Sequence, residues 1–353
     1  MRFHDMPYVR PDLAAFQAQA EAAAERIARA SSAAEQIGAI LAFDQAESEV
    51  STALSLAYVR HTIDTRDAFY DQENDYADEI APAIQEAEQK VHMALLASPF
   101  RRELAAHFGA LLFTNLEIAV RTFDPKNMAL MQEENRLQSE YQKLYASAVV
   151  EWNGEKLPLP QLGPYKQSRD RAVRKAAYEA EGRWFDSRRE ELDELYDKLV
   201  KNRTAQARNM GYDNYLPLGY DRLGRNCYGP AQVAAFRDQI ARDMVPLVAR
   251  VKKDQERRLG VEKLKFWDDT LLFPDGNAVP QGTADEILAA GKQMYQELSP
   301  ETAAFADFLW DNELLDVLSR EGKAPGGYCT EFRGYQAPFI FSNFNGTSGD
   351  VDV

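Results

Sequence analysis

The stretch GGYCTEFRGYQAPFIFSNFNGTSGDVDV, residues 326–353, lacks the helical period that runs through most of this sequence. Its apolar and aromatic residues instead form two runs typical of strands, 328–333 and 339–344, with Gly334 and Pro338 near their connection. The stretch therefore predicts a small sheet late in the chain, with one strand edge left free.

The rest of the chain is dominated by helical periodicity. Apolar residues recur at helical spacing from Pro11 to about Arg66, over 80–95, over 104–118 as one helix, and from Ala129 to Val150. This pattern predicts an antiparallel helical layer over residues 1–150, and the period breaks after it. We predict a mainly α protein with an N-terminal helical domain at 1–150 and a second unit at 151–353.

Turn and helix-capping residues predict where the elements of the second unit begin and end. Asn153-Gly154 predicts a tight hairpin, and Ser168 is placed to cap a long polar helix that ends near Gly211 and whose length requires a kink or a second helix. Pro246 should bend or break a later helix. Thr283 and Glu286 fit a capping box.

Charge and composition exclude several classes of partner. Asp and Glu number 56 against 41 Lys and Arg, a formal net charge of -15, which disfavours binding to nucleic acid and to anionic membranes. The sequence contains no run of 18 apolar residues and no basic-apolar leader at its start, so we predict a cytoplasmic protein. Cys227 and Cys329 lie far apart and are expected to be reduced thiols in packed surroundings.

Histidines limit the catalytic chemistry that this sequence can support. His4, His61, His92 and His107 are the four histidines, and none forms the pair one helical turn apart, with an intervening Glu, that a gluzincin-type zinc site needs. Glu88 with His92, and Glu103 with His107, have the spacing of a bundle metal site, but solvated helix faces produce the same spacing. We therefore assign no catalytic residue and no metal ligand.

Basic residues also cluster near the start of the long polar helix. Arg169, Arg171, Arg174 and Lys175 are interleaved with acidic residues, which is typical of a solvated helix with ion pairs between neighbouring turns.

Six segments carry a resemblance to a known family. In chain order they are NRTAQARNMGYDNYLPLGYDRLGRNCY, DMVPLV, RRLG, FWDD, GKAPGGYCT and APFIFSNFNGTSGDVDV. They resemble the zinc oligoendopeptidase F family, relatives of thimet oligopeptidase. The similarity is colinear from about Leu144 to Val353, and GGYCT with PFIFSNFNGT is its most specific part. It implies that 151–353 is the N-terminal part of a metallopeptidase catalytic domain, with the helical wall and small sheet of a thimet-oligopeptidase-like fold, incomplete at the C-terminus.

The resemblance also implies an activity. A zinc-binding H-E-x-x-H helix would begin within a few residues of Val353, so zinc belongs to the full-length family member and none is ligated by this chain. We expect the full-length protein to be a zinc metalloendopeptidase that hydrolyses short unfolded peptides, and the 353-residue chain alone to be inactive. The alternative is a complete non-catalytic helical protein that binds peptides or a partner through the exposed strand edge.

The predicted substrate-binding residues lie around the two strands: Gly326, Gly327, Tyr328, Cys329, Asn343 and Asn345. If the zinc-bearing helices normally cover this region, their absence exposes Phe339, Ile340, Phe341, Phe344 and Val351. We therefore also expect self-association through the exposed C-terminal strand region.

Overall fold

The computed structural model describes residues 1–352. Its first part is helical, as the sequence predicts. The helices are α1 Leu13–Arg29, α2 Ala33–Ile63, α3 Ala68–Leu96, α4 Arg101–Phe108, α5 Leu111–Arg121 and α6 Met128–Ala146. Helices α1, α2 and α3 pack together around a core that includes Phe16, Ile27, Phe43 and Val91.

One helix in this region differs from the prediction. The apolar residues from 104 to 118 belong to two helices, because Gly109 adopts φ +101° and ends α4 before α5 begins. Within residues 1–352 no single helix is long and apolar enough to cross a membrane. Only α4 and α5 taken together, with a 106° bend between them, meet that criterion of length and composition.

The second part begins with the predicted hairpin. Strand β1, Val149–Trp152, pairs antiparallel with β2, Glu155–Pro158. Asn153 and Gly154 connect them with φ of 52° and 86°, the left-handed pair that such a two-residue turn needs. The helices that follow are α7 Gly163–Lys166, α8 Arg171–Ser187, α9 Arg189–Asn209, α10 Tyr215–Arg222, α11 Pro230–Gln239, α12 Val245–Leu259, α13 Ala284–Leu298, α14 Pro300–Asp311 and α15 Gly349–Asp352.

Most of the predicted helix boundaries in this part are confirmed. The long polar helix is divided at Arg188 into α8 and α9, although Asp170 rather than Ser168 caps its start. Pro246 follows a π-helical turn at Ile240–Met244 that separates α11 from α12, as expected for a residue that cannot donate a backbone hydrogen bond. Thr283 and Glu286 form the predicted capping box.

The interpretation of the basic cluster as a solvated helix face is wrong for Arg174, whose exposed fraction is only 2%. Its guanidinium donates to the Asp268 carboxylate at 2.7 Å, and Arg171 donates to the same carboxylate. Burial alone would raise the pKa of Asp268, but the hydrogen bonds from Arg171, the Lys265 backbone and Arg174 outweigh it and lower that pKa to about 2. This ion pair attaches α8 to the loop after α12.

The late sheet has three strands among the described residues. They are β3 Leu315–Leu318, β4 Tyr328–Phe332 and β5 Ala337–Phe344, in the order β3-β5-β4. Strands β4 and β5 are the two predicted ones and pair antiparallel, while β3 was not predicted and lies parallel to β5. β5 is therefore the central strand, and β4 lies at one edge.

The inner face of this sheet is fully covered. Phe332, Phe339 and Phe341 are at most 1% exposed and lie in one cluster with Met6, Leu56, Val59, Leu309 and Leu314. The expectation that Phe339 and Phe341 lack cover is thus wrong, because α2 and the N-terminal segment pack on the sheet. It is also wrong for Phe344, which is buried, and Ile340 is partly buried against the same cluster. Val351, by contrast, is 62% exposed.

The packing of α2 on α3 also brings two acids together. Burial, and then the charge of Glu47 on α2, raise the pKa of Glu88 on α3 to about 7, and Arg333 only partly opposes this. Burial likewise raises the pKa of Glu47, with Arg333 opposing and Asp44 adding to the shift. Folding therefore favours the protonated form of Glu88.

This gives a prediction for the pH dependence of stability. Because the pKa of Glu88 rises from 4.5 to about 7 on folding, the folded chain holds a proton that the unfolded chain has lost, and stability falls as pH rises through that range. The substitution Glu88→Gln should raise the free energy of unfolding by roughly 1–3 kcal/mol at about pH 8 and leave it unchanged at about pH 4. Urea denaturation at both pH values measures this. Equal stability changes at the two pH values would contradict it.

Candidate functional site

The outer edge of β4 is a strand edge without a neighbouring strand. β5 pairs with one side of Tyr328–Phe332, from Tyr328 opposite Phe341 to Phe332 opposite Ala337, and the sheet order places no other described strand on the opposite side. In an antiparallel pair, half of the backbone groups of an edge strand point away from its partner. β4 therefore presents free N–H and C=O groups to any extended segment that approaches it.

Gly326 and Gly327 shape the approach to this edge. Gly326 has φ +83°, which a residue with a side chain rarely adopts. A Cβ atom at Gly327 would lie 3.1 Å from the Phe341 carbonyl oxygen. The backbone at Gly327 therefore passes closer to β5 than a residue with a side chain readily permits. The two glycines let the chain turn tightly into β4 and keep side chains away from its first residues.

Asn343 holds this glycine turn in place. Its Nδ2 donates to the carbonyl oxygens of Ala324 and Gly326, at 2.9 and 2.8 Å. Asn345 lies elsewhere: its Nδ2 donates to the Pro160 carbonyl oxygen, and its Oδ1 accepts from the backbone N–H of Thr347. Both amide groups thus have internal partners. We interpret Asn343 as a positioning residue for the edge and Asn345 as a residue that fixes the end of β5.

Tyr328 and Cys329 begin β4 on opposite faces of the strand. The Tyr328 hydroxyl shares a hydrogen bond of 2.6 Å with Thr62, its ring stacks on Phe341 at 4.7 Å, and burial raises its pKa. Cys329 is exposed, as is Cys227, so the expectation of packed surroundings for the thiols is wrong. The fold thus brings Gly326, Gly327, Tyr328, Cys329 and Asn343 together. Their contact with a peptide stays a prediction.

Lys323, for which the sequence pattern predicts no role, connects segments of the sheet through buried hydrogen bonds. Its buried ammonium donates to the Asp316 carboxylate at 2.6 Å and to the carbonyl oxygens of Leu318 and Ser342. Burial lowers its pKa to about 8, although Asp316 opposes this shift. These bonds join β3, β5 and the loop that leads to Gly326. No local pattern around Lys323 distinguishes it from a surface lysine.

A cavity of about 620 Å³ lies beside the start of β4. Helices α2, α3 and α6 supply most of its lining, including Tyr58, Asp78 and Tyr141, and Pro325 and Gly326 close it on the side of the sheet. The cavity is therefore continuous with the turn that precedes the free edge.

The side chains that the structure describes were also compared with the needs of a metal site. Over residues 1–352, no group of three or more His, Cys, Asp or Glu side chains could hold a metal ion. Glu88 and His92 on α3 do not combine with Glu103 and His107 on α4 into such a group. Burial lowers the pKa of His92, which favours its neutral form.

Comparisons with known proteins agree with this architecture. Residues 3–123 match the Peptidase M3 N-terminal domain, and residues 164–271 match Peptidase family M3. The structure of PZ peptidase A with an inhibitor superposes with a TM-score of 0.98 at 44% identity, over 100% of this chain and 63% of that chain. The chain belongs to peptidase family M3.

Two further solved structures extend this similarity. One is proposed to be an oligoendopeptidase F, with a TM-score of 0.98 and 46% identity over 100% of this chain and 62% of its own. Another, from Bacillus anthracis str. Ames, is also proposed to be an oligoendopeptidase F, with a TM-score of 0.97 and 43% identity over 100% of this chain and 65% of its own. No curated protein matches the chain. The chain spans less than two thirds of the length of each of the three proteins with these structures.

The role of Asn343 in this M3 chain can be tested by one substitution. Asn343→Asp replaces the donor that bonds Ala324 and Gly326 with a carboxylate, and each lost hydrogen bond costs about 0.5–1.5 kcal/mol. Hydrogen exchange over 324–328 should become about tenfold faster. Asn345→Asp is the matched control, because it should loosen the contact with Pro160 and leave 324–328 protected. Unchanged exchange of 324–328 in the Asn343 variant would contradict the assignment.

Proposed function

We propose that this chain is the N-terminal, peptide-binding portion of a zinc-dependent oligoendopeptidase that hydrolyses short unfolded peptides. The observation that carries this proposal is the free edge of β4, which begins directly after the turn at Gly326 and Gly327. Membership of peptidase family M3 supports the reaction class. We also propose a cytoplasmic setting for the protein.

A free strand edge suits a protein that binds many peptide sequences. An extended peptide that adds to β4 would form main-chain hydrogen bonds, which do not depend on its side chains. The small residues before β4 leave room for the peptide backbone, and the buried face of β4 keeps the strand from bending away. A folded substrate could not present such a segment, so the proposed substrates are short and unfolded.

Zinc chemistry is not assigned to residues of this chain. Zinc, when bound in this family, supplies a Lewis acid and an activated water for hydrolysis. The described residues do not fit such a site. We therefore propose that this chain alone holds a peptide in an extended form and leaves it uncleaved.

A second function is favoured by the same edge. Unpaired strands also pair with strands of other proteins or of a second copy of the same chain. The alternative is thus a non-catalytic protein that binds peptides or a partner, or associates with itself, through β4.

Backbone-methylated peptides test strand addition directly. In an added strand, every second amide faces β4. Methylating only the odd-numbered amides, or only the even-numbered ones, should therefore leave binding nearly intact, because the peptide can shift by one residue and turn its unmethylated amides towards β4. Methylating all amides should weaken binding by at least about tenfold, because each lost hydrogen bond contributes about 0.5–1.5 kcal/mol. Calorimetry with capped peptides of about eight residues measures this, and mass spectrometry after incubation with Zn²⁺ should find them intact.

The outcomes separate the alternatives. Binding of the fully methylated peptide with unchanged affinity would contradict strand addition. Cleavage by the 353-residue chain would contradict the proposed inactivity. If copies pair through β4, light scattering should show a dimer that the unmethylated peptide dissociates and the fully methylated one does not.

A further inference from the structure

The cavity beside β4 contains a carboxylate without a basic partner. The Oδ2 atom of Asp78 accepts a hydrogen bond of 2.6 Å from the Ser139 hydroxyl, and Asn74 approaches the same atom at 3.5 Å. Across residues 1–352, no Lys, Arg or His forms an ion pair with Asp78 within 4.0 Å. Basic side chains do pair with three buried carboxylates elsewhere in the chain, Glu73, Glu134 and Asp268. The buried Asp350 instead accepts hydrogen bonds from the backbone N–H groups of Asn345 and Gly346.

The basic residue whose charge acts on Asp78 is already engaged. Lys143 on α6 pairs with Asp71 and Asp75 on α3, seven and three positions before Asp78 in the sequence. Burial raises the pKa of Asp78, the charge of Asp75 adds to this, and Ser139 and Lys143 oppose it. The carboxylate is therefore held in an environment where an additional positive charge would stabilise its ionised form.

Three aromatic residues share this cavity with Asp78. Tyr58, Tyr141 and Tyr145 line the same cavity of about 620 Å³, together with the amide of Gln138. A carboxylate with several aromatic rings suits an organic cation, which can lie over a ring face and donate to the acid. Asp78 is the only acidic residue in this lining, so a divalent metal ion would find a single carboxylate there.

The cavity lies next to the start of the free strand edge. Gly326 lines the cavity, and β4 begins two residues later at Tyr328. A peptide that pairs antiparallel with β4, the slightly more stable arrangement, runs in the opposite direction, so its C-terminal part lies near Tyr328. The group that reaches the cavity is then a side chain rather than the α-amino group, which lies at the other end.

We propose that this cavity binds the basic side chain, Arg or Lys, of a peptide held on the β4 edge, with Asp78 as its counter-ion. The inference rests on the proposed function and adds a preference among peptides. Main-chain pairing supplies affinity for any sequence, and the cavity selects a positive charge on the C-terminal side of the bound segment.

Calorimetric titration of the whole chain with three peptides tests this preference. The first is a capped octapeptide with one Arg in its C-terminal half, the second has Gln in place of Arg, and the third is the Gln peptide with a free α-amino group. The Arg peptide should bind about tenfold more tightly than the capped Gln peptide, since a hydrogen bond to a charged group contributes about 1.5–3 kcal/mol. The free α-amino group should add nothing.

Two substitutions on α3 make the test specific. Asp78→Asn keeps the shape of the side chain and should abolish the preference for Arg while the Gln peptide binds as before, which also shows that the variant is folded. Glu79→Gln removes the same charge from the exposed neighbouring residue and should preserve the preference.

Each remaining outcome counts against a stated claim. Equal binding of the Arg and Gln peptides would overturn the cation site, and so would an equal loss of the preference for Arg in the Asp78 and Glu79 variants. Neither result would count against peptide binding itself. Tighter binding only of the peptide with a free α-amino group would overturn the side-chain assignment and indicate parallel pairing. If none of the peptides binds, the proposed function fails and this inference fails with it.

Discussion

The burial of one sheet face against the N-terminal third of the chain is the constraint on which the rest of the structure depends. Phe332, Phe339 and Phe341 lie in a single cluster with Leu56 and Val59 of α2. Each such ring contributes roughly 1.5–3 kcal/mol on burial, so the three together are comparable with the net stability of a typical domain, about 5–15 kcal/mol. The contact joins residues that are separated by more than 250 positions in the sequence.

The strand order leaves the outer edge of β4 without a neighbouring strand. With one face of the sheet covered by α2 and β5 in the centre, β4 can accept a further strand only along its outer edge. Lys323 and Asn343 then position the loop before β4 through bonds to backbone carbonyls. The edge is therefore held rigidly, which limits the entropy lost when a peptide pairs with it.

Much of the fold could be predicted because its signals are local. Helical periodicity, the Asn153-Gly154 turn, the Thr283 capping box and the runs that form β4 and β5 each depend on residues close in sequence. β3 was missed because its four residues, Leu315–Leu318, become a strand only by pairing with β5.

The site could be predicted only in part. The glycine turn and the start of β4 were found from composition, whereas the cavity requires the convergence of α2, α3 and α6, which no local pattern shows. Arg174 was misassigned because nearby acids could satisfy its charge, while its actual partner, Asp268, lies 94 positions away. The cover of the phenylalanines was missed for the same reason: their contacts come from the opposite end of the chain.

The central claim is that the outer edge of β4 binds an extended peptide. Hydrogen exchange of the chain with and without a saturating capped peptide measures this most directly, because added strands protect the amides with which they pair. The account predicts new protection concentrated in 326–332, with the buried β5 unchanged. Protection that appears elsewhere and spares 326–332, at peptide concentrations that saturate binding, would contradict it.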